Sequence, residues 1–170
     1  MKTLILLLFS AVVWITSCDR ANEVTGEVSF YLLETFNTVG DDCPIDESSV
    51  VLEAEPLITY DGLTWYDANE YEFGITEEVM ETIKNMEQSV FGVPFGVTAG
   101  GELVYTGYFW PAYSSLACPW TTIDPVFMEM NHSLRVRLGY PGSIEGAEIT
   151  DRRNDPRILE IFRRDGKLIE

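Results

Sequence analysis

Basic residues are scarce in this chain: 11 Lys and Arg stand against 28 Asp and Glu, a net charge of −17. A surface this acidic repels phosphate backbones, which excludes nucleic-acid binding. Histidine is scarcer still, with His132 alone, and the cysteines are only three. A zinc site is therefore poorly supplied, and neither metal nor cofactor is expected. The sequence contains no Gly-x-Ser-x-Gly, no His-Glu-x-x-His and no phosphate loop, which removes the catalytic signatures that are readable locally. Acids do crowd around Cys43, at Asp41-Asp42 and Asp46-Glu47. They lack the alternate ligand spacing and the sixth-position glycine of a calcium loop, so they read as solvated surface.

A long membrane-spanning run is also missing. Residues 4–15 form an uncharged apolar stretch of twelve residues, too short to cross about 30 Å of hydrocarbon as a helix. With Lys2 before it, the stretch reads as the apolar core of a secretory signal peptide over 1–17. It ends in Thr16-Ser17-Cys18, which resembles the lipobox of bacterial lipoproteins. That resemblance implies acylation at Cys18 (palmitate among the chains) and an extracytoplasmic domain anchored to the cell membrane or to an outer membrane. Asp19 resembles a sorting residue, and the choice between the two membranes stays open. Residues 18–27 then form the lipidated cysteine and a short tether, and 28–170 a single domain long enough to bury a core.

Charge is unevenly spread. Residues 18–132 hold 21 acids against Arg20 and Lys84, whereas 133–170 hold eight basic residues against seven acids. The basic segment is expected to pack on the acidic body; a partner-facing patch is the alternative. With Cys18 acylated, Cys43 and Cys118 remain. Each precedes a proline, which places both in extended or turn backbone, and in an oxidising compartment they are expected to pair as a disulfide. Two buried thiols or a metal pair are the alternatives.

Periodicity predicts strands over 27–35, 49–54, 70–75, 95–98, 103–109 and 134–138, with 57–69 irregular. Ala99-Gly100-Gly101-Glu102 predicts a tight hairpin. Thr76 is placed as a helix N-cap, with Glu77 and Glu78 favouring the positive helix start and Val79, Met80, Ile83 and Met86 as the buried stripe. Asp155-Pro156 predicts a second helix burying Ile158, Leu159, Ile161 and Phe162 and stopped by Gly166; a hairpin through Asp165-Gly166 competes. The expected fold class is α+β, a mostly antiparallel sheet with about two helices packed on one side.

Pro56-Leu57-Ile58-x-Tyr60-Asp61-x-Leu63, Gly92-x-Pro94-Phe95-x-Val97, Tyr105-x-Gly107-x-Phe109-Trp110 and Ser114-Ser115 together resemble an uncharacterised group of bacterial secreted and lipoprotein domains, over about residues 48–120. The resemblance implies a shared fold and no mechanism. The order of elements in 70–109 is similar to a head subdomain of the SecD translocase in topology alone.

Aromatic residues crowd between Tyr105 and Trp120. Tyr105 and Phe109 share one strand face, Tyr108 and Trp110 the other. One face is expected in the core; the other, continuing through Tyr113 to Trp120, is a candidate binding surface. Its alternative is that helix and loop cover both faces. The function expected on this reading is a lipid-anchored cell-envelope binding module whose partner is an envelope protein, a peptide or a glycan. The alternative is an envelope hydrolase using Ser114 or Ser115 with His132 as base.

Overall fold

The computed structural model describes residues 25–40 and 43–170. The signal peptide, Cys18, Asp19, Asp41 and Asp42 lie outside the described residues.

Nine strands form one sheet: β1 (Val28–Thr38), β2 (Ile45–Leu52), β3 (Leu63–Asp67), β4 (Glu72–Ile75), β5 (Val93–Ala99), β6 (Glu102–Phe109), β7 (Cys118–Ile123), β8 (Ser133–Tyr140) and β9 (Leu168–Ile169). Their spatial order is β2-β1-β5-β6-β7-β8-β4-β3-β9. The fold is mixed and mostly sheet, as expected in outline, but the sheet is not purely antiparallel. β6 runs parallel to β7, and β3 parallel to β9. Three helices accompany it, not two: α1 (Glu77–Asn85), the four-residue α2 (Met128–Asn131) and α3 (Pro156–Arg164). The sheet curls until Phe30 of β1 bridges Ile58, just ahead of β3.

Local chemistry accounts for the elements that matter most. Thr76 caps α1 by accepting from the Val79 amide at 3.4 Å, and Val79, Met80 and Ile83 are buried. Asp155 caps α3 through the Arg157 amide at 3.0 Å, with Pro156 in the first turn, where its missing N–H costs nothing. Ile158, Ile161 and Phe162 are buried, whereas Leu159 is only partly covered. Gly166, at φ +66°, ends the helix. The chain then joins β3 as β9, so the competing hairpin does not form. Gly100 and Gly101, at φ +63° and +81°, make the β5–β6 turn that only glycine adopts without strain.

The long helices α1 and α3 bury their stripes in the same core. Phe73 meets Phe30 edge-on with centroids 5.2 Å apart, and packs on Tyr66 at 4.4 Å and on Phe162 of α3 at 5.8 Å. A second cluster lies on the other face of β6, where Leu33, Ile45, Tyr108, Trp110 and Cys118 pack together with Phe36, Val50, Leu52 and Tyr140 around them. The β1–β2 hairpin covers that face. Cys43 and Cys118 are disulfide-bonded, with Cα atoms 5.6 Å apart, and pin the hairpin there.

Two strands escape periodicity for physical reasons. In β3 a register shift between Leu63 and Trp65 breaks the alternation, so the inward residues are Leu63 and Tyr66 rather than neighbours two apart. In β7 a shift lies between Cys118 and Thr121, and Pro119 is tolerated because β6 pairs only with the far end, at Thr122 and Ile123.

Candidate functional site

The aromatic strand is core, not surface. Tyr105, Tyr108 and Trp110 are 3, 6 and 4% exposed, because helices close one face of β6 and the β1–β2 hairpin closes the other. The Tyr108 hydroxyl donates to the Cys43 carbonyl at 2.9 Å, and burial pushes its pKa up to about 12. Trp120 is half-buried and donates through Nε1 to Thr106 Oγ1 at 3.0 Å. Of the five aromatics expected to form a binding surface, Tyr113 alone stands out in solvent, at 61%.

Tyr113 has company. Val90 and Phe91 precede β5, Tyr113 and Leu116 lie between β6 and β7, and Val126, Phe127 and Met130 lie between β7 and β8. These seven are exposed large hydrophobics. The three loops emerge at one end of the sheet, since the start of β5 pairs with the end of β6 (Val93 with Phe109) and the end of β6 with the end of β7 (Phe109 with Ile123). Side chains tie the loops together. Ser114 Oγ donates to the Val90 carbonyl at 2.7 Å, and Asp124 Oδ1 accepts from the Ala112 amide at 3.2 Å. The Tyr140 hydroxyl donates to the Ala112 carbonyl at 2.8 Å. The result is an apolar rim on held loops, an arrangement that marks interaction surfaces more often than scattered exposed residues do.

Beside the rim is a recess of about 220 Å³ on the outward face of β4, β8 and β7. Register builds its floor. Glu72 pairs with Arg135, and Gly74 with Ser133; Ile123 pairs with Val136, which sets Asp124 beside Arg135. Ser133, Arg135 and Arg137 alternate along β8 and so share the outward face. Phe127 and Met130 form the recess wall toward the rim. Glu72, buried, accepts from the Ser133 hydroxyl and pairs with Arg135 at 3.3 Å, while Glu70 reaches the same guanidinium at 2.8 Å.

The hydrolase pieces are not brought together. Ser114 is buried, and its hydroxyl also accepts from the Leu116 amide at 3.3 Å, which makes it a loop tie. His132 lies in the left-handed conformation at the end of α2, with Nδ1 3.8 Å from Glu77. Among the described residues no hydrogen bond joins His132 to Ser114 or Ser115.

The basic segment divides its charges. Arg135, Arg152 and Arg157 reach acids of the body at Glu70 and Glu72, Glu47, and Glu102. Arg153, Arg163 and Arg164 pair within the segment, with Asp151, Glu170 and Asp165. Packing on the acidic body is thus half of the answer. Of the 46–47 pair expected as solvated surface, Glu47 turns in to Thr106 and Arg152, whereas Asp46 accepts from Ser48 at the exposed surface.

Comparison with protein-family models, with curated proteins and with solved structures found no match.

Proposed function

We propose that the chain is a lipid-anchored binding module of the cell envelope, and that its ligand surface is the loop end of the sheet. The observation that carries the reading is the gathering of exposed apolar side chains on three adjoining loops, with Phe91, Tyr113 and Phe127 the largest. The anchor rests on the N-terminal sequence, where an apolar run leads into Thr16-Ser17-Cys18. No helix among the described residues is long and apolar enough to cross a membrane.

The placement of the two ends supports a division of labour. The chain enters β1 at Val28, which pairs with Ala99 at the hairpin end of β5. The rim lies at the other end, before Val93. Seven strand residues separate them, about 23 Å. A tether at one end leaves the rim pointing away from the bilayer, toward an envelope protein, a peptide or a glycan.

Two measurements test this. Incorporation of an alkyne-palmitate label should occur in the wild-type chain and vanish in Cys18→Ala. A photo-crosslinking residue at Tyr113 should trap a partner in native membranes that the same residue at Glu102, exposed at the hairpin end of the sheet opposite the rim, does not. Equal trapping from both positions, or none from Tyr113, would contradict the loop-end surface.

A further inference from the structure

We infer that the rim's docking point is a notch between α1 and the loops on either side of β7. It takes an apolar side chain flanked by lysine or arginine in a peptide segment of an envelope protein. This rests on reading the loop end as the ligand surface and names the partner's chemistry.

The notch has an apolar interior. Ile83 of α1 and Met128 of α2, 0 and 3% exposed, form its floor, with Pro125, Val126 and Tyr113 as walls. Gln88 closes the α1 side, its Nε2 donating to the carbonyls of Ile83 and Met86 at 3.2 and 3.4 Å. The volume, about 250 Å³, falls below the span of drug-sized pockets. It suits one inserted side chain, the anchor in a pocket on which interfaces concentrate their binding energy. Val126 and Tyr113, both exposed, make the notch continuous with the rim.

Charge around the mouth is mostly of one sign. Lys84 lines the notch but is held by Glu81 at 2.9 Å and by Glu129 at 3.2 Å. Those two side chains are 54 and 59% exposed, so both carboxylates are within reach of a partner. Glu87, next to Gln88, is exposed and has no ion pair among the described residues. Arg135 and Arg137 line the separate recess with Phe127 and Met130. An acidic border favours a cation beside the apolar anchor and disfavours an anion. Lysine and arginine stems lie along apolar surface while their heads reach carboxylates, and the exposed Tyr113 ring offers a cation a π face. A neutral glycan gains nothing from this border, an anionic lipid headgroup is repelled by it, and a second copy brings a net charge of −17.

The test titrates the full chain, carrying ¹³C-methyl methionine, with the peptide acetyl-Ser-Lys-Lys-Leu-Lys-Lys-Ser-amide. The Met128 methyl resonance, assigned with Met128→Leu, should shift along a saturable curve. Two analogue peptides, one with serine for the leucine and one with glutamine for every lysine, should each bind at least about tenfold more weakly, a difference near 1.4 kcal/mol. Val126→Ser and Glu87→Gln/Glu129→Gln change exposed side chains and should each weaken the parent peptide by a similar factor with unchanged melting. Glu27→Gln/Glu102→Gln, which removes two charges at the hairpin end of the sheet, should leave its binding unchanged. No saturable shift up to about 10 mM, far above a millimolar Kd, would overturn the proposal, as would an analogue binding as tightly as the parent. A Met128 response to phosphatidylglycerol vesicles, to maltohexaose or to a rise in the chain's own concentration, with none to the peptide, would give the notch to lipid, glycan or a second copy and overturn it too. Failure here with Tyr113 crosslinking intact rejects the basic partner and leaves the binding module standing.

Discussion

Glu47 and Thr106 lie 59 residues apart in sequence, and the Glu47 carboxylate accepts from both the Thr106 amide, at 3.1 Å, and its hydroxyl, at 3.3 Å. The contact carries an acidic side chain from edge strand β2 to the seam where β6 and β7 do not pair. Arg152 neutralises the charge, and Trp120 Nε1 completes the chain of donors at Thr106. Glu47→Ala removes the acceptor of a strand amide and the partner of an arginine together. The expected cost is about 1–3 kcal/mol, below the range for fully buried pairs because both side chains keep some solvent. Glu47→Gln retains an oxygen acceptor and should cost less. Urea unfolding at neutral pH measures both, and a neutral Glu47→Ala would contradict the assignment.

The disulfide closes 75 residues. Its removal in Cys43→Ser/Cys118→Ser should destabilise by up to about 4.5 kcal/mol on the chain-entropy model. The second cluster, which packs beneath the bridge, should loosen first. Hydrogen exchange would locate the loss in β2 and the Tyr108–Trp110 region, with the core around Phe73 protected longer. Uniform loss would mean that the hairpin does not depend on the bridge.

Tyrosine ionisation gives a pH test. Burial holds the Tyr108 hydroxyl up to about 12, and desolvation also raises Tyr60, Tyr66 and Tyr105. A group whose folded pKa lies above its unfolded value, about 10, contributes stability that is full below pH 10 and lost as pH rises through the folded value. The phenolate absorbance that develops around pH 10 should therefore have the same amplitude in Tyr108→Phe as in the wild-type chain. A smaller amplitude in the variant would mean that Tyr108 titrates as if exposed.

What could be read in the sequence was local. Thr76 with its two glutamates, and Asp155-Pro156, announce α1 and α3 because capping chemistry acts within one turn. Gly100-Gly101 announces the hairpin for the same reason. β3 and β7 stayed hidden because a register shift in each disrupts the two-residue period. The aromatic strand misleads differently. Alternation separates Tyr108 and Trp110 from Phe109, but it says nothing of the β1–β2 hairpin folding over the second face, an event fixed by contacts such as Tyr108 with Cys43, 65 residues apart. Tyr113 was legible; Phe91, Phe127 and Met130 were not, because they sit in loops without period and join Tyr113 only when three strand ends align. Asp124 and Arg137 share a recess through the β7–β8 register, which the sequence does not display.

The central claim is that the ligand surface is the loop rim and that the aromatic strand is core. Crosslinking and affinity recovery from native membranes, with a melting curve for each protein, test it on two double variants. Phe91→Ser/Phe127→Ser changes exposed side chains and should melt within about 1 kcal/mol of wild type while losing the partner. Tyr108→Ala/Trp110→Ala empties the second cluster and should cost about 3–5 kcal/mol or more, unfolding the chain or lowering its melting point sharply. The opposite pattern, a folded Tyr108→Ala/Trp110→Ala that no longer recovers the partner beside a fully competent Phe91→Ser/Phe127→Ser, would contradict the account and return the binding surface to the strand.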